Sequence, residues 1–179
     1  MDQHIILRRF TIEKDLPFFH RVHSDANSMQ YYGMQAFNSI EDSRKLMMDY
    51  IESEKNNKSV HRVICDIQHN EYMGEIGLFN IHPVHRRANA YCILMPEHRK
   101  RGVSIEASAL FYKEAFEEMQ INRVQALVDS RNVNATNSLK GIGFTFEGKL
   151  QQYEFEDDGY IDIEVYSLIK TRFYELYGK

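Results

Sequence analysis

The chain has 179 residues, of which 43% are hydrophobic and 12% aromatic, and its formal net charge is −4. That length suits one domain with a real core, spanning residues 1–179, and the composition argues against disorder. The acidic balance argues against a dedicated nucleic-acid binder, for which a basic domain is expected.

The opening MDQHIILRRF lacks the apolar run and cleavage site of a leader, and no apolar stretch approaches the roughly 20 residues of a membrane span. A soluble, cytoplasmic domain is expected. IILRRF (Ile5–Phe10) reads as a first strand. Thr11 is placed to cap a helix over IEKDLPFFHRVHSD, with Pro17 well inside it. Ser39 is placed to cap IEDSRKLMMDYIESEK, where Ile40, Leu46, Met47 and Ile51 fall near helical spacing. Between them, Tyr31, Tyr32 and Phe37 fit a core, an acceptor cleft or a subunit contact.

The period then changes. Val60–Ile67 and Tyr72–Ile81 read as an antiparallel hairpin around QHNE, and Arg87–Met95 as a longer strand. Cys65 and Cys92 fall in these strands with no CxxC spacing, and read as reduced thiols. Ser104–Gln120 is the best helix, with Ile105, Ala109, Tyr112, Phe116 and Met119 on one face. NRVQALVDS follows as a buried strand, NVNATNSLKGIGF as a short helix ending at Gly143, and the last segment as a hairpin turning at DDGY. The order gives an α/β (α+β) domain with a mixed sheet flanked by helices.

The stretch EHRKRGVSIEA gathers cations where the best helix begins. Unpaired amides and the macrodipole already favour an anion there, so the loop is suited to phosphate. It is neither a Walker A loop nor a dinucleotide fingerprint, and an ordinary solvated basic loop has the same composition. Further on, DSRNVNATNSLKGIGFTFEG sets an Asn-rich helix start after a strand. Asparagine there serves as a cap, or pairs with a ligand amide.

Taken in order, HPVHRRANAYCILMPEHRKRG, INRVQALVDSRNVNATNSLKGIGFTFEG and YEFEDDGYIDIEVYSLIK resemble the GNAT superfamily of acyl-CoA-dependent N-acetyltransferases, in particular its ribosomal-protein N-terminal and spermidine acetyltransferase branch. The likeness runs from about Met73 to the end, and LRRFTIEKDLPFF is its trace in the first part. It implies a mostly antiparallel GNAT sheet and acetyl-CoA as co-substrate. It also implies that Arg99, Lys100, Arg101, Gly102, Val103 and Ser104 form the pyrophosphate loop. Leu94 and Met95 would pair with the pantetheine arm, and Asn132, with Asn137 nearby, would bind the coenzyme. The family's usual catalytic positions hold other residues here, Leu139, Ala135 and Asn89.

Chemistry constrains the rest. Attack on a thioester needs a neutral amine. Deprotonation at pH 7 costs roughly 4–5 kcal/mol for a lysine-like amine, against about 1 kcal/mol for an α-amine. An α-amine therefore asks less of a base, and MQYYGMQAF lacks the acidic residues that the spermidine enzymes of the resembled branch carry there, although Glu154, Glu156, Asp157 and Asp158 could supply charge from elsewhere in the chain. A protein N-terminus is the expected acceptor, with a polyamine or other small amine as the alternative. Glu75 is the first candidate base, His82 and His85 come next, and Ser138 or Asn137 would donate to the thiolate. No histidine spacing matches a metal site, so none is expected. A non-catalytic acyl-CoA-binding protein is the competing class. No nucleic-acid or membrane partner is expected, and a homodimer is compatible with the sequence.

Overall fold

The computed structural model describes residues 3–99, 101–156 and 159–178. In chain order its elements are β1 (Ile5–Arg8), α1 (Ile12–His23), α2 (Ala26–Met29), α3 (Ile40–Lys55), β2 (Val60–Asp66), β3 (Tyr72–His82), β4 (Arg87–Leu94), α4 (Val103–Glu117), β5 (Arg123–Asp129), α5 (Val133–Ile142), β6 (Thr145–Glu156), β7 (Gly159–Ile169) and α6 (Lys170–Tyr177). A short 3-10 turn, Pro96–His98, lies between β4 and α4. One seven-stranded sheet runs β1-β2-β3-β4-β5-β7-β6. Its neighbours are antiparallel except β4 and β5, which are parallel because α4 crosses between them. The mixed GNAT-like sheet expected from the sequence is present.

Two faces cover β1–β4. On one, α4 buries Ala107, Phe111, Tyr112, Ala115 and Phe116 against Ile64, Ile76, Leu78 and Ala88 in an apolar core. The buried stripe of α4 differs from the expected one, since Ile105 is 38% exposed. Other packing explains this: Ile105 lies against Gly141 of α5 rather than the sheet. On the opposite face, α1 and α3 bring Leu16, Phe19, Val22 and Met47 toward Val63, Cys65 and Ile93.

Capping sets the helix starts. Ser39 accepts from the Asp42 N–H at 3.2 Å, as expected for α3. Thr11 makes no such side-chain bond. Instead Asp15, fully buried and paired with Arg8 at 2.6 and 2.7 Å, accepts the Thr11 N–H at 2.8 Å. Pro17 is accommodated within the second turn of α1. The expected turn at Asp157–Asp158 lies outside the described residues. No described helix is long and apolar enough to cross a membrane.

Candidate active site

β4 and β5 pair only over Arg87–Asn89 and Arg123–Gln125, then part. Strand hydrogen bonds alternate sides. The Arg86 carbonyl accepts from Arg123 N–H at 3.1 Å on the β5 side, while Met95 N–H donates to the Met73 carbonyl at 2.9 Å on the β3 side. Even-numbered residues of β4 therefore turn their backbone groups toward β5. Where β5 has departed, Cys92 and Leu94 turn theirs into an open cleft, and Leu127 answers from the β5 wall. Met95, expected to pair with a ligand, has its N–H committed to β3.

Both outward carbonyls are capped. The Tyr32 hydroxyl donates to Cys92 C=O at 2.7 Å, and Arg99 Nε donates to Leu94 C=O at 3.0 Å. Arg99 Nη2 also donates to Ser28 Oγ at 2.6 Å. Ser28 in turn belongs to the Asp25 cap of α2, where Asp25 Oδ2 accepts its N–H at 3.0 Å and its hydroxyl at 2.5 Å. The cleft wall thus offers donors at Cys92 and Leu94 rather than acceptors.

Two helix N-termini open at the same end, the carboxyl ends of β4 and β5, where ligands of open α/β sheets bind. Gly102 starts α4 at φ +77°, a conformation that favours glycine. The Ile105 and Glu106 N–H groups return to its carbonyl at 3.0 Å, so the Val103 and Ser104 amides lead the helix without helical partners. Glu106 does not oppose an anion there, because its carboxylate is turned to β1 and accepts from His4 and Ile5 N–H. Arg101 is exposed and forms no ion pair among the described residues. Lys100 lies outside the described residues. At α5, Asn132 Oδ1 accepts from Ala135 N–H at 3.0 Å, so its acceptor caps the helix and leaves its amide N–H groups as the side chain's remaining donors.

Beneath the β4 wall, on the α1 face, lies a buried polar group. Glu75 is fully buried, with Tyr72 O–H donating to Oε2 at 3.1 Å and His23 Nε2 bonded to Oε1 at 3.1 Å. Nδ1 of His23 has no partner among the described residues. Burial, reinforced by the Glu75 charge, holds the Tyr72 and Tyr91 phenols well above their ordinary range; burial also raises Tyr32. Burial pushes the Cys92 thiol up to about 12. These groups remain protonated at neutral pH. Beside them a chain runs from Tyr91 O–H to His61 Nδ1 (2.9 Å), from His61 Nε2 to Ser59 Oγ (2.7 Å), and on to Ser53. Gly77 is its floor: a Cβ there would meet Tyr91 at 2.4 Å and His61 at 2.7 Å.

The mouth of the cleft is crossed by the segment after α2. Tyr32 reaches the β4 edge, while Tyr31 next to it lies 5.9 Å beneath the Arg131 guanidinium at the end of β5. A Cβ at Gly33 would sit 3.6 Å from Glu154 Oε2 on β6. Arg131 is held by Asp129 (2.5 Å) and Glu156 (2.8 Å). Burial alone would raise the Asp129 carboxyl, but the Arg131 hydrogen bonds more than reverse this.

The residues expected to act together are not all adjacent. His85 stands exposed on the β3–β4 turn, its ring stacked on His82 at 4.3 Å. From Glu75 to His82 the strand alone spans about 20 Å, so His85 and Glu75 lie at opposite ends of β3. Ser138 is half-buried in the second turn of α5 and Asn137 is exposed; neither side chain forms a hydrogen bond among the described residues. The roles of His23, Tyr72, His61 and Arg131 were not expected. Sequence separations such as the 52 residues between His23 and Glu75 carry no local signal. Among the described residues no three His, Cys, Asp or Glu side chains gather to hold a metal.

Comparison with known proteins agrees with this architecture. Residues 4–145 match the acetyltransferase (GNAT) domain family. The chain is 27% identical over 168 residues to the uncharacterized N-acetyltransferase YoaA of Bacillus subtilis, covering 94% of each. It is 27% identical over 156 residues to the spermidine N(1)-acetyltransferase of Escherichia coli, covering 87% of this chain and 81% of the relative. Spermidine N-acetyltransferase from Vibrio cholerae, solved in complex with CoA and spermine, superposes with a TM-score of 0.85 at 23% identity, over 96% of this chain and 99% of that one. The chain belongs to the GNAT family and is an N-acetyltransferase.

Proposed function

We propose that the chain transfers the acetyl group of acetyl-CoA to a primary amine of a polyamine. The parted edge of β4 carries the reading. It offers amide donors at Cys92 and Leu94 along one wall, with the leading amides of α4, Arg101 and the side-chain amide of Asn132 at the same end. That donor set fits the amides and phosphates of coenzyme A. Bound there, acetyl-CoA supplies the activated acyl carbon: the amine nitrogen bonds to it, the C–S bond breaks and free thiol leaves.

For the acceptor, the strap of Tyr31–Gly33 meeting Arg131 and Glu154 narrows the mouth, which suits a slender aliphatic chain better than a polypeptide end. The carboxylates of Asp129, Glu154 and Glu156 stand beside it, two of them paired with Arg131. These are the acidic groups that the MQYYGMQAF segment lacks, supplied from distant elements. The spermidine acetyltransferase relatives support the same acceptor over the protein N-terminus favoured from sequence. A polyamine nitrogen must lose a proton before attack, and Glu75 is the carboxylate under the β4 wall, held by Tyr72 O–H and His23 Nε2. We assign it the proton-accepting role.

Thiol release from acetyl-CoA, measured with spermidine and with a short peptide bearing a free α-amine, tests the reading. Faster turnover of spermidine is expected. Preference for the peptide would overturn the acceptor, and no release with either would overturn the activity.

A further inference from the structure

Arg99 is the first residue of the expected pyrophosphate loop, yet two nitrogens of its guanidinium are already bonded within the protein. One nitrogen is committed to the Leu94 carbonyl on the free edge of β4 and another to Ser28 Oγ in α2. Ser28 is buried, and its hydroxyl is tied to the Asp25 cap that starts α2. A second bond repeats the arrangement one residue pair along: Tyr32, just after α2, donates to the Cys92 carbonyl on the same edge. A third contact, between Arg21 of α1 and Glu97, joins the 3-10 turn to the same lobe. Three side chains thus tie the segment carrying the acceptor strap to the strand and loop that carry the coenzyme amides.

We propose that Arg99 is a positioning residue, not a phosphate ligand: it fixes α2 and the Tyr31–Gly33 strap on the free edge of β4 and so sets where the amine enters. The planar guanidinium suits this role, because its donors diverge from one rigid fork to a carbonyl and a hydroxyl at once. A lysine ammonium is a point charge and cannot reproduce that span. Arg101, exposed and without an ion pair among the described residues, is the described cation of the loop available to a phosphate. This inference rests on the acceptor reading above for its kinetic part only.

The test compares Arg99→Ala, Arg99→Lys, Ser28→Ala and Arg101→Ala. Loss of a charge-assisted hydrogen bond predicts a rise of about tenfold or more in spermidine KM for Arg99→Ala, with coenzyme A affinity within about twofold of the parent. Lysine should not restore KM. Ser28→Ala should give a smaller rise, and Ser28→Ala combined with Arg99→Ala no more than Arg99→Ala alone, because the two remove one interaction. Hydrogen exchange of the α2 amides should quicken in Arg99→Ala and stay unchanged in Arg101→Ala. This exchange and the coenzyme titration need no turnover, so they decide the role of Arg99 even if spermidine proves not to be the acceptor. Coenzyme affinity falling in Arg99→Ala as far as in Arg101→Ala, or α2 exchange left unmoved, would overturn the proposal.

Discussion

The two faces of the β1–β4 sheet are built of different material. The α4 face is predominantly apolar, from Ile64 and Ile76 to Phe111, Phe116 and Leu168, with the Ser108 hydroxyl as its buried polar exception. The α1–α3 face holds Glu75, His23, His61 and the hydroxyls of Tyr72 and Tyr91 among its hydrophobic residues. Polar groups are costly to bury unless hydrogen-bonded, and here nearly every one has a partner. A sheet of alternating side chains allows this division, since residues 75 and 77 of β3 share one face while 76 and 78 share the other. The dry face supplies stability. The wet face lies behind the cleft wall and carries the carboxylate proposed to accept the amine proton.

That contrast can be broken most sharply at Glu75. Glu75→Gln keeps the shape but removes the proton acceptor, and turnover should fall by roughly 10²–10⁴ with acetyl-CoA affinity retained. Steady-state rates at saturating acetyl-CoA check this, and unchanged turnover would remove Glu75 from the chemistry. The dry face should respond the opposite way. Phe111→Ala should cost about 3–5 kcal/mol of stability and lower Tm by roughly 10 °C, while the folded protein still binds coenzyme A. Calorimetry with and without coenzyme A reads both effects.

A third prediction concerns pH and the wet face. Burial, with the Arg62 charge beside it, depresses the His61 imidazole from 6.5 to about 4. The unfolded chain therefore binds a proton between pH 6.5 and 4 that the folded chain does not. Stability from this group is complete above about pH 6.5 and falls as the pH drops toward 4, by about 3 kcal/mol in all. Urea unfolding of the parent and of His61→Gln at pH 7 and 4.5 checks the slope, which should flatten in the variant. The smallest effect is expected at Arg101. Arg101→Ala should weaken coenzyme A binding several-fold, the loss shrinking at high salt, with no change in Tm of the free protein.

Much of the fold was legible because its signals are local. Ser39 before IEDSRKLMMDYIESEK marked the start of α3, and the change of period in Val60–Ile67 and Tyr72–Ile81 marked the hairpin, whose strands end within one residue of those bounds. The basic loop before α4 drew attention to the helix start that Gly102 forms. What was missed rests on tertiary contacts. α2 is one turn long and is held by Asp25, Ser28 and Arg99 rather than by propensity. α6 follows β7 without a capping side chain and is anchored by Phe173 in the core. The expected Thr11 cap yielded to Asp15, whose partner Arg8 belongs to β1. The site divides in the same way. The basic loop before α4 stands out in charge and glycine, whereas the Tyr31–Arg131 crossing and the His23–Glu75 bond join residues that only the fold brings together.

The most direct test of the account is amide hydrogen exchange of the whole protein with and without coenzyme A. The account predicts protection concentrated at Cys92 and Leu94 on β4 and at Val103 and Ser104 at the start of α4, with the β3–β4 turn around His85 unchanged. Protection absent from the β4 edge while coenzyme A is demonstrably bound would contradict it, and would move the cofactor out of the cleft.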